Sequence, residues 1–193
     1  MIRQMKDTGW IEIITGCMYS GKTEELIKRL RRAIIAKQKV KVFKPALDDR
    51  YSEKKISSHN KNMLDAIVVM HSDDILSQVE EDDEVIGIEE VQFFDEKIID
   101  VCKYLADSGK RVIVAGLDQD YLGQPFENTM RLMAEAEFVT KLLAICVKCG
   151  NLANRTQRTV KKKDRIVVGS VGLYEARCRK CFDPELKNEE SKG

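Results

Sequence analysis

Eight consecutive residues, Gly16-Cys17-Met18-Tyr19-Ser20-Gly21-Lys22-Thr23, constrain this chain more than any other feature. They satisfy the spacing glycine, four residues, Gly-Lys-Ser/Thr, which has chemical meaning only between a strand and a helix. The flanks meet that condition. Trp10 to Thr15 is an apolar, β-branched run ending at a glycine, so it reads as a strand entering a turn. From Lys22 to Gln38, Leu26, Ile27, Leu30, Ala33, Ile34 and Ala36 recur at helical intervals. Glycines let such a loop wrap a phosphate, and its N–H groups together with the helix N-terminus bind the negative charge. Lys22 is expected to reach the β- and γ-phosphates of a nucleotide, and the Thr23 hydroxyl to ligate Mg²⁺.

The rest of the chain repeats the strand and helix alternation. Val40 to Phe43, Ile67 to Met70, Glu84 to Ile88 and Arg111 to Gly116 read as buried strands, and Asp73 to Val79 and Asp95 to Ser108 as helices. Phe138 to Ala144 reads as one more strand. Pro45 to Asn62 has no sustained period and is expected to be an irregular loop, long enough to be functional. The pattern predicts an α/β fold: a parallel P-loop sheet with helices on both faces.

Lys and Arg total 33 against 32 Asp and Glu, so no global field recruits nucleic acid or an anionic membrane. No apolar stretch approaches membrane length, and Met1 to Gly9 has no apolar core, so a cytoplasmic protein is expected. In that compartment thiols stay reduced, and the six cysteines pose a question of metal rather than disulfides. Cys146-x-x-Cys149 and Cys178-x-x-Cys181 can surround one tetrahedral Zn²⁺ with no open position, hence a structural site. Cys17 and Cys102 have no partner at ligand spacing and read as plain buried or loop residues.

Val85-Ile86-Gly87-Ile88-Glu89-Glu90 puts two acids at the carboxyl end of an apolar strand, where parallel sheets collect ligands. After a P-loop, one such acid serves Mg²⁺ and another accepts the proton of an attacking hydroxyl; the plain alternative is that both face water.

Taken in order, these features resemble the type II thymidine kinase family over almost the whole chain. The resemblance rests on the P-loop with Met18 and Tyr19 in its middle, Asp48-Asp49-Arg50-Tyr51-Ser52, Glu89-Glu90-Val91-Gln92-Phe93-Phe94, and Gly116-Leu117-Asp118 followed by Tyr121 and Phe126. Both cysteine pairs complete it. It implies an ATP-dependent kinase acting on thymidine, with Glu90 as catalytic base and Glu89 where the family usually has Asp. Asp48 and Arg50 would steady phosphate. Met18, Leu117 and Thr156 would surround the thymine methyl, with Phe93, Tyr121 and Phe126 lining the pocket and Arg158 close by. Between the cysteine pairs lies the family's lasso, whose backbone at Val168, Gly169 and Ser170 would hold the base edge while Tyr174 lies near the sugar. A homotetramer and feedback inhibition by thymidine triphosphate are implied as well.

The expected organisation is therefore an ATP-binding domain over residues 1–144, a zinc-binding lasso domain over 145–182 and a disordered tail over 183–193. The competing class is a nucleic-acid-associated ATPase whose zinc ribbon grips the polymer. Near-neutral charge opposes it, and no aromatic interleaves Lys161 to Lys163 and Arg165 to make a stacking patch.

Overall fold

The computed structural model describes residues 8–46, 55–57, 63–160 and 172–186. Six strands form the central sheet: β1 (Trp10–Gly16), β2 (Val40–Pro45), β5 (Ile67–Val69), β6 (Val85–Ile88), β7 (Arg111–Leu117) and β8 (Phe138–Leu142). Their order is β5-β2-β6-β7-β1-β8 and every pairing is parallel. The helices are α1 (Lys22–Ile35), α2 (Asp73–Gln78), α3 (Ile98–Asp107) and α4 (Glu127–Glu135).

The two-residue period of the strands sorts side chains into two cores. Ile13, Ile86, Ile88, Val112 and Val114 pack with Ile98, Cys102 and Leu105 of α3 and Leu132 of α4. Ile14, Val85, Ile113 and Ala115 point the other way, onto Leu26, Ile27, Leu30 and Ala33 of α1. The inner strands β1, β6 and β7 are thus buried on both faces, which is why their sequences are nearly continuous in apolar residues. Among the described residues, no helix is long and apolar enough to cross a membrane.

Several boundaries differ from the periodicity, each for a local reason. α1 stops at Ile35 because Lys37 takes φ 60°, so that the Gln38 N–H reaches Ala33 O and the Lys37 N–H reaches Ile34 O. Those two bonds satisfy the last carbonyls as a Schellman turn. α3 begins at Ile98, since the Asp95 carboxylate accepts the Ser72 and Lys97 N–H groups ahead of the helix. α4 was not expected: its inward face includes Asn128 and Thr129, which hide the apolar period. The expected irregular loop contains part of a two-stranded pair, β3 (Lys55–Ser57) with β4 (Met63–Asp65), strands too short to leave a periodic trace.

After β8 the chain makes two small antiparallel pairs. These are β9 (Ala144–Ile145) with β10 (Leu152–Ala153), and β11 (Arg155–Arg158) with β12 (Tyr174–Arg177). Of the segment expected as a tail, Asp183 exchanges two hydrogen bonds with the Gln157 amide, at 2.7 Å each, and Leu186 is buried. Residues 187–193 lie outside the described residues.

Candidate active site

Strands β6, β7 and β1 are consecutive in the sheet, so their carboxyl ends deliver three loops to one crest. After β1 comes the P-loop. Gly21 sits at φ 85° immediately before α1, a left-handed turn that lets the chain swing into the helix. The first N–H groups of α1 are therefore free of intrahelical partners and directed at the loop. Lys22 Nζ donates to Cys17 O at 2.8 Å, so its ammonium is held over the loop. Burial pulls Lys22 below the usual lysine range, against the opposing charges of Glu90 and Glu89.

After β6 come the two acids. Glu89 is buried; its Oε1 accepts the Thr23 hydroxyl at 2.7 Å, and its Oε2 has no hydrogen-bond partner among the described residues. Burial, reinforced by the Glu90 charge, pushes Glu89 up to about 8 against the pull of Thr23, Lys22 and Lys44. A carboxylate so placed is relieved by an adjacent cation. A hydroxyl oxygen next to an orphaned buried carboxylate oxygen is the hard donor set that Mg²⁺ prefers. Glu90 takes the left-handed conformation, φ 54° and ψ 42°, unusual for a residue with a Cβ, and opens a 3₁₀ turn over Val91–Phe93.

β7 ends at Leu117, and Asp118 follows it. The Gln92 side chain joins this loop to the acids, accepting the Leu117 N–H at 3.0 Å and donating to Glu90 Oε2. Phe93 and Phe126 meet edge to face, centroids 6.2 Å apart. On the other side Arg158, almost fully buried, stacks on Tyr121 with Cζ 3.5 Å from the ring centroid and donates to the Tyr174 hydroxyl at 2.9 Å. The Met18 N–H donates to Thr156 Oγ1 at 3.0 Å, and the Tyr19 hydroxyl to Tyr174 O at 3.0 Å. The P-loop residues, Glu89, Glu90, Phe93, Leu117, Tyr121, Phe126, Thr156, Arg158 and Tyr174 are thus joined through these contacts and the three loops. Asp48, Arg50, Val168, Gly169 and Ser170 lie outside the described residues.

The four Sγ atoms of Cys146, Cys149, Cys178 and Cys181 lie within 4.8 Å of one another, and Cys149 to Cys178 is 3.6 Å. Thiolates about 2.3 Å from a tetrahedral ion would be about 3.8 Å apart, so the cluster can hold a metal ion in the manner of zinc. Burial raises the Cys146 thiol, but N–H groups of Cys178, Lys148 and Cys149 outweigh it and leave Cys146 well below the usual thiol range. Cys178 is lowered likewise by the Cys181 N–H. Turns that aim amides at sulfur favour the thiolate a metal requires. Cys102, on the buried face of α3 and pushed up to about 12 by that burial, is inert core. Cys17 packs with Ala144, Cys146, Ala153 and Cys178 and donates to Ala153 O at 3.4 Å, so the P-loop rests on the cysteine knuckle.

Several supporting residues had no signal at the sequence level. Asn128 of α4 donates to Phe94 O at 2.8 Å and pins the 3₁₀ turn from beneath. Arg155 bonds Gln119 and stacks 5.7 Å from Phe182, bracing the β7–α4 loop against the residue after Cys181. Lys141 pairs with Asp118 at 2.8 Å. None belongs to a spaced motif. Gln92 lay inside one, unremarked.

A family model described as thymidine kinase matches residues 9–182. A curated protein named thymidine kinase, from Rhodothermus sp. (strain ITI 518), is 53% identical over 184 residues, covering 95% of this chain and 86% of its own length.

Proposed function

The chain belongs to the thymidine kinase family, and from that premise we propose how its residues divide the phosphorylation of thymidine. The observation that carries the reading is the convergence of the P-loop, the Glu89-Glu90 pair and Leu117 on the carboxyl ends of three adjacent strands.

The N–H groups of Gly16 to Thr23 and the N-terminus of α1 hold the ATP phosphates, and Lys22 neutralises charge on the transferring group. Thr23 and Glu89 hold the Mg²⁺ that accompanies ATP and supplies further charge neutralisation. Met18, Leu117 and Thr156 surround the thymine methyl. Phe93, Tyr121 and Phe126 form the walls, with Arg158 and Tyr174 toward the sugar. Val168, Gly169 and Ser170 read the base edge through their backbone, and Asp48 and Arg50 steady phosphate. All of these nucleoside and loop roles are assigned on the family resemblance.

In the reaction the 5′-oxygen of thymidine forms a bond to the γ-phosphorus in line with the departing β–γ bridging oxygen, which leaves on ADP. Glu90 accepts the 5′-hydroxyl proton. Most of the acceleration comes from positioning and charge neutralisation rather than from covalent chemistry.

The four cysteines hold one structural zinc. A cytoplasmic homotetramer inhibited by thymidine triphosphate completes the proposal, on the resemblance. Glu90→Gln tests its centre: a positioned base contributes ~10²–10⁴-fold, so turnover should fall by that order while thymidine and ATP binding stay within a few-fold. Turnover within a few-fold of the parent would remove Glu90 from the role.

A further inference from the structure

We propose that Gln92 is a positioning residue that holds Glu90 in register with the nucleoside pocket, an inference that rests on reading Glu90 as the base. Gln92 is 7% exposed, and both ends of its amide are engaged. The Leu117 N–H can only donate, so the atom 3.0 Å from it must be the amide oxygen. That leaves the NH₂ facing Glu90 Oε2, which accepts from it. The orientation is fixed by chemistry rather than by choice of rotamer. A bond from an amide N–H to a carboxylate is charge-assisted and directional.

The partner at the other end gives the bond its use. Leu117 closes β7, and the next residue, Asp118, accepts the Phe126 N–H through its carbonyl at 3.1 Å. Gln92 therefore ties the base to the end of β7, which carries Leu117 and, through the Asp118 carbonyl, holds Phe126 ahead of α4. The surroundings keep room for this amide. A Cβ on Gly116 would stand 2.7 Å from Gln92 Oε1 and 2.7 Å from Val91 Cγ1. The Glu90 backbone is left-handed and its side chain projects from a tight turn, and among the described residues the Gln92 amide is the hydrogen-bond donor that meets its carboxylate.

A purely structural tie and a positioning role predict different results for one substitution. Gln92→Glu keeps the length and an oxygen for the Leu117 N–H but withdraws the donor from Glu90. Positioning predicts that turnover falls on the order of 10- to 100-fold, because a displaced base forfeits alignment, while thymidine affinity from direct binding titration stays within about threefold. In a Glu90→Gln background the same substitution should cost under about twofold, since the group it positions is gone. Gln92→Met is the second variant, should the first fold poorly, with the same non-additivity expected. Turnover of Gln92→Glu within twofold of the parent, or an equal fractional loss in both backgrounds, overturns the proposal. If Glu90→Gln itself retains parental turnover, the base assignment fails and this inference falls with it. A dead Glu90→Gln beside a fully active Gln92→Glu sinks the inference alone.

Discussion

Stripping metal from the four cysteines should weaken nucleotide binding at the P-loop, although no cysteine of the cluster belongs to that loop. The link is physical contact. Cys17 packs into the knuckle, the Met18 N–H donates to Thr156 and the Tyr19 hydroxyl donates to Tyr174 O. Thr156 lies on β11 and Tyr174 on β12, the strand that leads directly to Cys178. Without metal the two cysteine turns keep the Cys146–Cys178 packing and the Val147 N–H bond to Ala176 O between them, but the β11–β12 pair loses its strongest anchor. The Met18 and Tyr19 bonds are each worth about 0.5–1.5 kcal/mol net. Bringing the loop to its binding conformation without their support would then cost up to about 1–3 kcal/mol, a loss of roughly 5- to 150-fold in affinity. The assay is calorimetric titration of a non-hydrolysable ATP analogue into protein treated with chelator and reductant, then into the same protein reloaded with zinc. Hydrogen exchange would report in parallel whether β11 and β12 open. Tyr19→Phe in the loaded protein should reproduce a smaller part of the loss. Metal-free protein with opened β11 and β12 and undiminished nucleotide affinity would refute the coupling.

Glu89→Gln should lower activity in a way that rising magnesium partly restores, whereas the Glu90→Gln defect should not respond; steady-state kinetics over a magnesium series separates them. Deoxyuridine should remain a substrate, because a missing methyl in an apolar pocket costs ~1–3 kcal/mol, and deoxycytidine should be rejected far more strongly; comparison of kcat/KM for the three nucleosides checks this. Glu12 provides a pH-dependent contribution to stability. Burial raises its carboxyl, but Arg111, Trp10 and Arg29 more than offset that, and Glu12 titrates below the ordinary range. A depressed folded pKa stabilises fully above the unfolded value and is lost as pH falls through the folded one. Glu12→Gln should therefore cost about 2 kcal/mol near neutral pH, with the gap to the parent closing below about pH 4 in urea denaturation series. Gly116→Ala should reduce turnover more than it reduces Tm, since its Cβ would strike Gln92 Oε1; equal activity with an unchanged Tm would contradict the crowding there.

Most of the central sheet was readable because parallel strands buried on both faces have to be apolar throughout. α4 was not, because Asn128 spends its buried position on a hydrogen bond to Phe94 O that only the packed turn can offer. The irregular reading of Pro45 to Asn62 missed β3, and β4 just beyond it went unread, because three-residue strands are shorter than any period.

Local chemistry written into consecutive residues was enough to declare a phosphate loop at Gly16 to Thr23, an acid pair at Glu89 and Glu90, and two cysteine turns. Each is a device whose parts are a few residues apart, so spacing alone exposes it. What spacing cannot express is strand order. Only the sequence β6-β7-β1 across the sheet brings Thr23 to Glu89, residues 66 apart, and Leu117 to Gln92, residues 25 apart. The left-handed turn at Glu90 depends equally on its surroundings, because a residue with a Cβ holds φ 54° only where other contacts outweigh the strain; here the Gln92 amide donates to its carboxylate and Asn128 holds the Phe94 carbonyl at the end of the turn. The candidate groups were legible one by one, and their alignment belonged to the tertiary structure, because alignment is set by contacts between segments that the chain keeps far apart.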